Sequence, residues 1–492
     1  MSVNKENSSE SGSLHEFEVR FDGSDDDIED ALRLSETRKW LIVILISLGS
    51  VCITSISSVW ALASRHIMRK FHISHEVSTL GISFYIWGLG TGGIFLSPIS
   101  EFHGRKIVYT LGLFVVFAFQ FVPAFSNNIG SILFSRFISG FFGASFLSVA
   151  SGTFSDLFRK TERNSKGRPD QTKALNQALV MYSASPFIGP GLGPLISGFV
   201  NEHLNFRWTF YIMAIWSGVV MVAVIFFIPE TYEPVLLKKK AIRLRKTTGD
   251  DRWFAPIELN KASIYESIIL SSKRPILLIF RDNMTLALCF YSGFVLAIVY
   301  MFFVSFPYIF ESVYGFSLQD QGLSFVGLIL GLGITAFVSP PIFDHILEKL
   351  TKKNGYYCTE YRFLPLIAGV FIIPIGLFII AWTSYPQCHW IAPIVGSFFY
   401  GMGTILVFNG IFSYTVEAYR KYTASAMATN SFVRSAMSGV FPLFTLQMYK
   451  KMNIHWATTL LALLGCLLIP IPFIFYKYGA ELRRKSPYTW SE

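Results

Sequence analysis

Twelve long apolar runs, nearly free of ionisable residues, constrain this chain more than any motif in it. Each is long enough to cross the roughly 30 Å hydrocarbon layer of a bilayer. In that medium a backbone must satisfy its own hydrogen bonds, so such runs fold as α-helices. The hydropathy pattern predicts spans over 40–62, 78–98, 106–125, 132–155, 175–199 and 208–228. A second set of six falls at 284–306, 320–343, 362–381, 391–415, 423–447 and 456–478. The expected fold class is an all-α membrane protein with twelve transmembrane helices in two six-helix groups. Composition agrees, because only 15% of the 492 residues are charged, against about a quarter in soluble domains.

Charge placement gives the expected orientation. The net charge of +10 resides in alternate loops: "HGRK" at 103–106, "RKTERNSKGRPDQTK" at 159–173, the stretch 229–283, "RK" at 420–421 and "ELRRKS" at 481–486. Loops 126–131 and 382–390 on the other side carry no Lys or Arg. The positive-inside rule then places both termini and the central stretch in the cytoplasm, and makes nucleic acid an unneeded partner. One outward loop, "SRHIMRKFHISHE" (64–76), runs against that bias. The domain plan is a disordered acidic tail over 1–37, a six-helix half over 38–228, and a basic cytoplasmic linker with a short amphipathic helix over 229–283. A second half over 284–480 and a short cytoplasmic tail over 481–492 complete it. The N-terminus lacks the pattern of a signal peptide, and the sequon Asn7-Ser8-Ser9 falls on the cytoplasmic tail. Five scattered cysteines form no CxxC pair and no phosphate loop occurs, so neither a metal site nor ATP hydrolysis is expected.

The fifth span reads "PFIGPGLGPLISG" (186–198). Pro186, Pro190 and Pro194 share one helix face and free the carbonyls of Tyr182, Pro186 and Pro190. That face should pack on protein or line a watery space. Gly189 and Gly193 form a flat strip beside it, expected to meet the matching Gly327 and Gly331 of the eighth span.

Further stretches share an order with this one: "SPISEFHGRK" (97–106), "RFISGFFG" (136–143), "GPGLGP" (189–194), "PETYEPVLLKKKA" (229–241) and "NGIFSYTVEAYRKYTASAMATNSFVRSAMSGVFPLF" (409–444). From about residue 38 to 480 the chain resembles the fungal twelve-span drug:proton antiporter branch of the major facilitator superfamily, the group of multidrug and polyamine exporters. It departs from that pattern at Ser97, Glu101, Phe102 and Glu417, and keeps only a vestige of the first motif at "SPPIFDHILEK" (339–349). The resemblance implies two pseudo-symmetric halves and export of small lipophilic or cationic compounds by alternating access, with polyamines left open. It also implies a proton gradient as the energy source with no cofactor, no catalysis, a monomer, and protons and a small molecule as partners in the lipid bilayer. The plasma membrane is preferred to the vacuolar membrane.

By the same resemblance, Glu101, Gly104, Arg105 and Asp156 form a cytoplasmic gate, and Gly189, Pro190, Gly193 and Pro194 are the antiporter motif. Arg136 is tied to proton transfer by resemblance; a structural role, bonding freed carbonyls of the fifth helix, stands equally open. No carboxylate lies deep in any span, so Asp156 and Glu417, at span ends, complete the proton-coupling candidates, with Glu417 preferred. Arg434 lies about 17 Å along its helix, near the midplane depth where transporters hold substrate. Candidate cavity residues are Trp60, Tyr85, Trp87, Tyr182, Tyr291, Tyr300, Asn409, Tyr414, Asn430 and Arg434. A facilitator or importer on the same fold is the alternative. A membrane enzyme or receptor is remote, since His66, His72 and His75 are the only histidine cluster and no metal is expected there.

Overall fold

Lipid offers a helix no backbone partner but itself, and the apolar runs fold accordingly. The structure is a computed structural model; it describes residues 17–21, 30–158, 171–259, 273–275, 277–356, 358–419 and 422–486. Among these, eleven helical stretches are long and apolar enough to cross a membrane. We label the crossings of the first half α1 (Glu36–Phe71), α2 (His75–His103), α3 (Arg105–Phe125), α4 (Ile129–Phe158), α5 (Gln171–His203) and α6 (Arg207–Phe227). The second half begins with α7 (Asn283–Tyr314), α8 (Leu318–Asn354), α9 (Thr359–Thr383) and α10 (Ile391–Ala418). The last stretch breaks at Asn453, whose φ of 63° and ψ of 158° are not helical. It divides into α11 (423–452) and α12 (454–484). From His455, bonded to the Ala381 carbonyl at 2.7 Å, α12 runs back along α9 until Phe475 stacks on Phe363. The expected twelve spans therefore appear as eleven stretches, one holding a chain reversal that hydropathy alone had separated.

The two halves repeat one arrangement. In the first, α1 packs on α5, α2 on α4, and α3 on α6; in the second, α7 packs on α11, α8 on α10, and α9 on α12. The halves meet where α2 lies on α11 and α5 on α8. Glycine sets the closest approaches. A Cβ on Gly140 of α4 would stand 2.1 Å from the Tyr85 carbonyl of α2, and one on Gly331 of α8 would stand 2.2 Å from the Phe398 carbonyl of α10. Backbones this close leave room for no side chain between them.

The glycine strip of α5 has a different partner from the expected one. A Cβ on Gly189 would meet Thr54 Oγ1 at 1.9 Å, and one on Gly193 would meet Ser58 Oγ at 2.0 Å, so the strip faces α1. Gly327 and Gly331 face α10 instead. The contact between α5 and α8 does exist, through Gly191 against Ile329 and Gly198 against Gly322. Equal glycine spacing shows that two helices can each approach something closely, but it does not pair them. Hydroxyls of the serine-rich segment of α1 and of α5 complete the contact: Ser55 Oγ donates to the Gly189 carbonyl at 3.1 Å and Ser197 Oγ to the Val59 carbonyl at 2.6 Å.

The described parts of the tail, residues 17–21 and the segment from Asp30, lie against the linker and the first half. Val19 N donates to the Phe254 carbonyl at 2.9 Å and Phe254 N to the Phe17 carbonyl at 3.1 Å. Val19, Phe21 and Ala31 bury with Leu236, Leu237 and Ala241, the last three on a linker helix, Glu233–Thr248. The alternation Phe17, Val19, Phe21 is a strand pattern that the acidic composition obscured. The basic residues 420–421, most of the loop 159–173 and the sequon at Asn7 lie outside the described residues.

Replacing Gly193 by Leu forces α5 away from α1, and overpacking of this kind costs on the order of 3 kcal/mol. Gly193→Leu is expected to lower the thermal midpoint of the solubilised protein. Gly93→Ala, whose Cβ would meet only Ser148 Cβ at 3.7 Å, should leave that midpoint within about the range of a neutral surface change.

Candidate functional site

The loop between α2 and α3 turns at Gly104, whose φ of 99° disfavours any side chain. That turn points Arg105 into a cluster: Nε donates to Asp156 Oδ2 at 3.3 Å, one guanidinium nitrogen to Ser100 Oγ at 2.6 Å, and the group lies 4.7 Å from the Tyr232 ring. Gly104, Arg105 and Asp156 are thus brought together. Glu101 is exposed and outside the cluster. The buried carboxylate of Glu230 occupies that place, accepting from Arg105 N at 2.8 Å and Lys106 N at 3.2 Å. These are free amides at the N-terminus of α3, where helix dipole and orphan donors favour an anion. The signal for Glu230 and Tyr232 was the "PETYEP" stretch, which carried a resemblance but no assigned role.

The second half repeats this cluster. Arg362, at the start of α9, donates through Nε to Glu417 Oε2 at 3.1 Å and lies 3.5 Å from Asp344 of α8. Since α10 ends at Ala418, Glu417 occupies its last turn as Asp156 occupies that of α4. Nearby, buried Glu360 pairs with Arg483 at 2.7 Å. Burial beside Glu360 pushes the Cys358 thiol up to about 11, so it stays protonated at neutral pH.

Arg136 is buried in the first half and clamps it. Its guanidinium donates to the carbonyls of Gly81 at 2.9 Å, Ile56 at 2.7 Å and Ser57 at 2.9 Å, and lies over the Tyr85 ring at 4.4 Å. The carbonyls belong to α1 and α2, where the sequence reading had suggested α5. The cause is local: the helical run of α1 is interrupted at Val59, which takes the Ser55 carbonyl while those of Ile56 and Ser57 accept from Arg136.

Polar contacts between the halves gather from mid-bundle to the end that charge placement assigns to the outside. Arg65 of α1 pairs with Glu311 of α7. Gln447 Nε2 of α11 donates to Glu76 of α2 at 3.0 Å, and Leu318 N of α8 donates to Glu202 of α5 at 2.8 Å. Nearer the middle, Ser57 Oγ and Tyr300 OH share a bond of 3.2 Å, and Trp87 Nε1 donates to the Ala436 carbonyl at 3.3 Å. A cavity of about 170 Å³, lined by Ser64, Arg65, His75, Thr79, Glu311 and Gln321 among others, lies within this region. No hydrogen bond or ion pair among the described residues joins the halves at the opposite end.

Below those contacts the structure places Arg434. Its guanidinium lies 5.3 Å from the Phe408 ring and 5.5 Å from the Phe412 ring, both on α10. Tyr300 of α7 and Tyr182 of α5 are within electrostatic reach. Phe187 of α5 packs on Phe408 at 4.8 Å, so residues of both halves surround this point. Tyr182, whose OH donates to the Phe146 carbonyl at 2.7 Å, and Tyr300 are the candidate tyrosines beside it. Other cavity candidates are structural. Trp60 donates to the Ser78 carbonyl, Tyr85 to that of Ile53, and Tyr414 stacks on Phe363 at 3.9 Å. Tyr291 is buried in the core of the second half. Asn409 bonds Ser339 and Asn430 bonds Ser292, within that half. Hydropathy gave depth but not azimuth, and most midplane rings on these helices face their own half. The rings that flank Arg434 are phenylalanines, at 408 and 412 one helical turn apart, which a search for polar aromatics passes over.

Two repeated six-helix halves, joined at one end around a central guanidinium, define a polytopic membrane transporter. The chain belongs to the Major Facilitator Superfamily, whose sequence model matches residues 44–442. It is 46% identical to "Probable drug/proton antiporter YHK8" of Saccharomyces cerevisiae, across 96% of this chain and 90% of the relative. It is 40% identical to "Efflux pump atB" of Aspergillus terreus over the same shares, and 36% identical to "Efflux pump FUBT" of Fusarium oxysporum over 94% and 76%. Fungal drug:proton antiporters and efflux pumps are thus its relatives, as the motifs implied.

The Arg65–Glu311 pair is partly exposed, 33% and 46% by side chain, so its loss should shift the closed population by about fivefold at most. Glu311→Ala is expected to raise labelling of a Leu446→Cys reporter, which lines the outer cavity, by a membrane-impermeant maleimide. Unchanged labelling would show that the pair does not hold that end closed.

Proposed function

We propose that the chain is a proton-coupled antiporter that exports small lipophilic compounds by alternating access of its two halves. The observation that carries this reading is that the polar inter-half contacts of the described residues gather from mid-bundle to one end, with Arg434 lying between the halves. The names of the relatives support the direction and the coupling. With the orientation that the positive-inside rule assigns, both termini are cytoplasmic and the arrangement is the inward-facing state. The protein works as a monomer in the plasma membrane.

Arg136 spends donors on three carbonyls and, among the described residues, has no carboxylate beside it, which supports a clamp rather than a proton carrier. Coupling then falls to the carboxylates at the cytoplasmic ends of α4 and α10. We assign it first to Glu417: protonation would release Arg362 and loosen the base of the second half. The Arg105–Asp156 pair is the equivalent element in the first half, and the latch of the outward-facing state.

Efflux of labelled probes, spermidine among them, from cells expressing the protein should collapse when a protonophore is added; efflux that ignores it would mark a facilitator. Glu417→Gln should abolish stimulation by a pH gradient while leaving substrate-for-substrate exchange in place. Retention of the pH dependence would remove Glu417 from the coupling path.

A further inference from the structure

Arg434 lies mid-bundle with its Nε buried. Its Nε has no hydrogen-bond partner. Among the described residues no carboxylate pairs with the group; its neighbours are the rings of Phe408 and Phe412 and the neutral side chains of Tyr300, Cys289 and Tyr182. Arg136 shows what a structural arginine does in this fold: it hydrogen-bonds three carbonyls. Arg434 bonds none. An intramembrane arginine is normally paired or turned to water, and Arg434 is only partly buried as a residue, where rings of both halves meet. Asn430, one turn earlier on α11, is turned away to Ser292 at 2.7 Å.

The geometry points to a substrate site for amphipathic organic monoanions, in which Arg434 binds one carboxylate or sulfonate and Phe408, Phe412 and Phe187 receive the apolar body. A guanidinium presents paired N–H donors that match the two oxygens of such a group. A flat ring suits the aromatic faces around it. A cationic compound would meet an uncompensated positive charge in the same place. This inference rests on the exporter reading for the meaning of the site, though not for its existence.

Three probes with one apolar body separate the possibilities: 2-naphthoate as the anion, 2-naphthamide as the neutral form and 2-naphthylmethylammonium as the cation. Thermal stabilisation of the purified full-length protein in detergent measures binding. Proteoliposomes with an imposed pH gradient measure movement, with naphthalene-2-sulfonate as the anion because it does not leak through lipid. Binding of 2-naphthoate should exceed that of the other two by about tenfold or more, the scale of one charge-assisted pair. Arg434→Gln should erase the preference, and Arg434→Lys should keep part of it because the charge remains but the fork is lost. Asn430→Asp, which places a carboxylate one turn from Arg434, should also erase it, without removing the arginine. Equal binding of all three probes, preference for the ammonium, or an anion preference that survives both Arg434→Gln and Asn430→Asp would overturn the proposal. Anion binding that depends on Arg434 with movement indifferent to the pH gradient would uphold the site and refute the coupled exporter. Gradient-driven movement of the neutral or cationic probe with no anion binding would do the reverse, and a protein that neither binds nor moves any probe would refute both.

Discussion

Each half is held together where two helix backbones meet with no side chain between them. Between two helices in lipid there is no hydrophobic drive, since the tails are as apolar as leucine; association depends on close packing and on hydrogen bonds. Gly140 of α4 against α2 and Gly331 of α8 against α10 supply the first in the two halves. Serine hydroxyls between α1 and α5, and Arg136 on the carbonyls of α1 and α2, supply the second in the first half. Such contacts tolerate little sliding, so each half behaves as a unit. Motion is left to the boundary between them, where Trp87, Tyr300 and the outer ion pair make a few contacts that can be exchanged.

That division explains the two charge clusters at the other end. The Arg105–Asp156 and Arg362–Glu417 pairs each lie within one half and occupy equivalent places in the repeat. Their carboxylates end α4 and α10, and their arginines begin α3 and α9, so each pair fixes the spacing of two helix ends. On the proposed alternating-access cycle, these clusters are the surfaces that meet when the halves approach at that end.

The architecture was legible in the sequence because hydropathy and charge act on whole segments. Apolar length gave the crossings, and a faint motif repeat gave the halves. What it could not give was azimuth. Gly189 and Gly193 read correctly as a close-approach strip, yet nothing in their spacing distinguishes α1 from α8 as partner. The same gap misplaced Trp60, Tyr85 and Tyr414, which lie near plausible depths but turn into their own half. Glu101 and Glu230 show a related failure: the gate motif placed an acid in the loop, while folding brought one from 125 residues beyond Arg105. Only contact between distant segments could reveal it.

Arg434 carries a further consequence for coupling. Arginine does not release its proton in proteins, so the charge at the centre of the bundle is constant through the cycle. A unit charge about 5 Å from it, at an effective dielectric near 20, gains or loses on the order of 3 kcal/mol according to sign. That is enough to decide which compounds enter, and it cannot be altered by pH. On the proposed roles, substrate selection and proton binding are physically separate: the first belongs to a fixed cation between the halves, the second to carboxylates at helix ends. Coupling between them must pass through the position of the halves themselves, since that is the one variable both sites share. A transporter built this way needs no acid in the middle of the membrane, and among the described residues none is placed there.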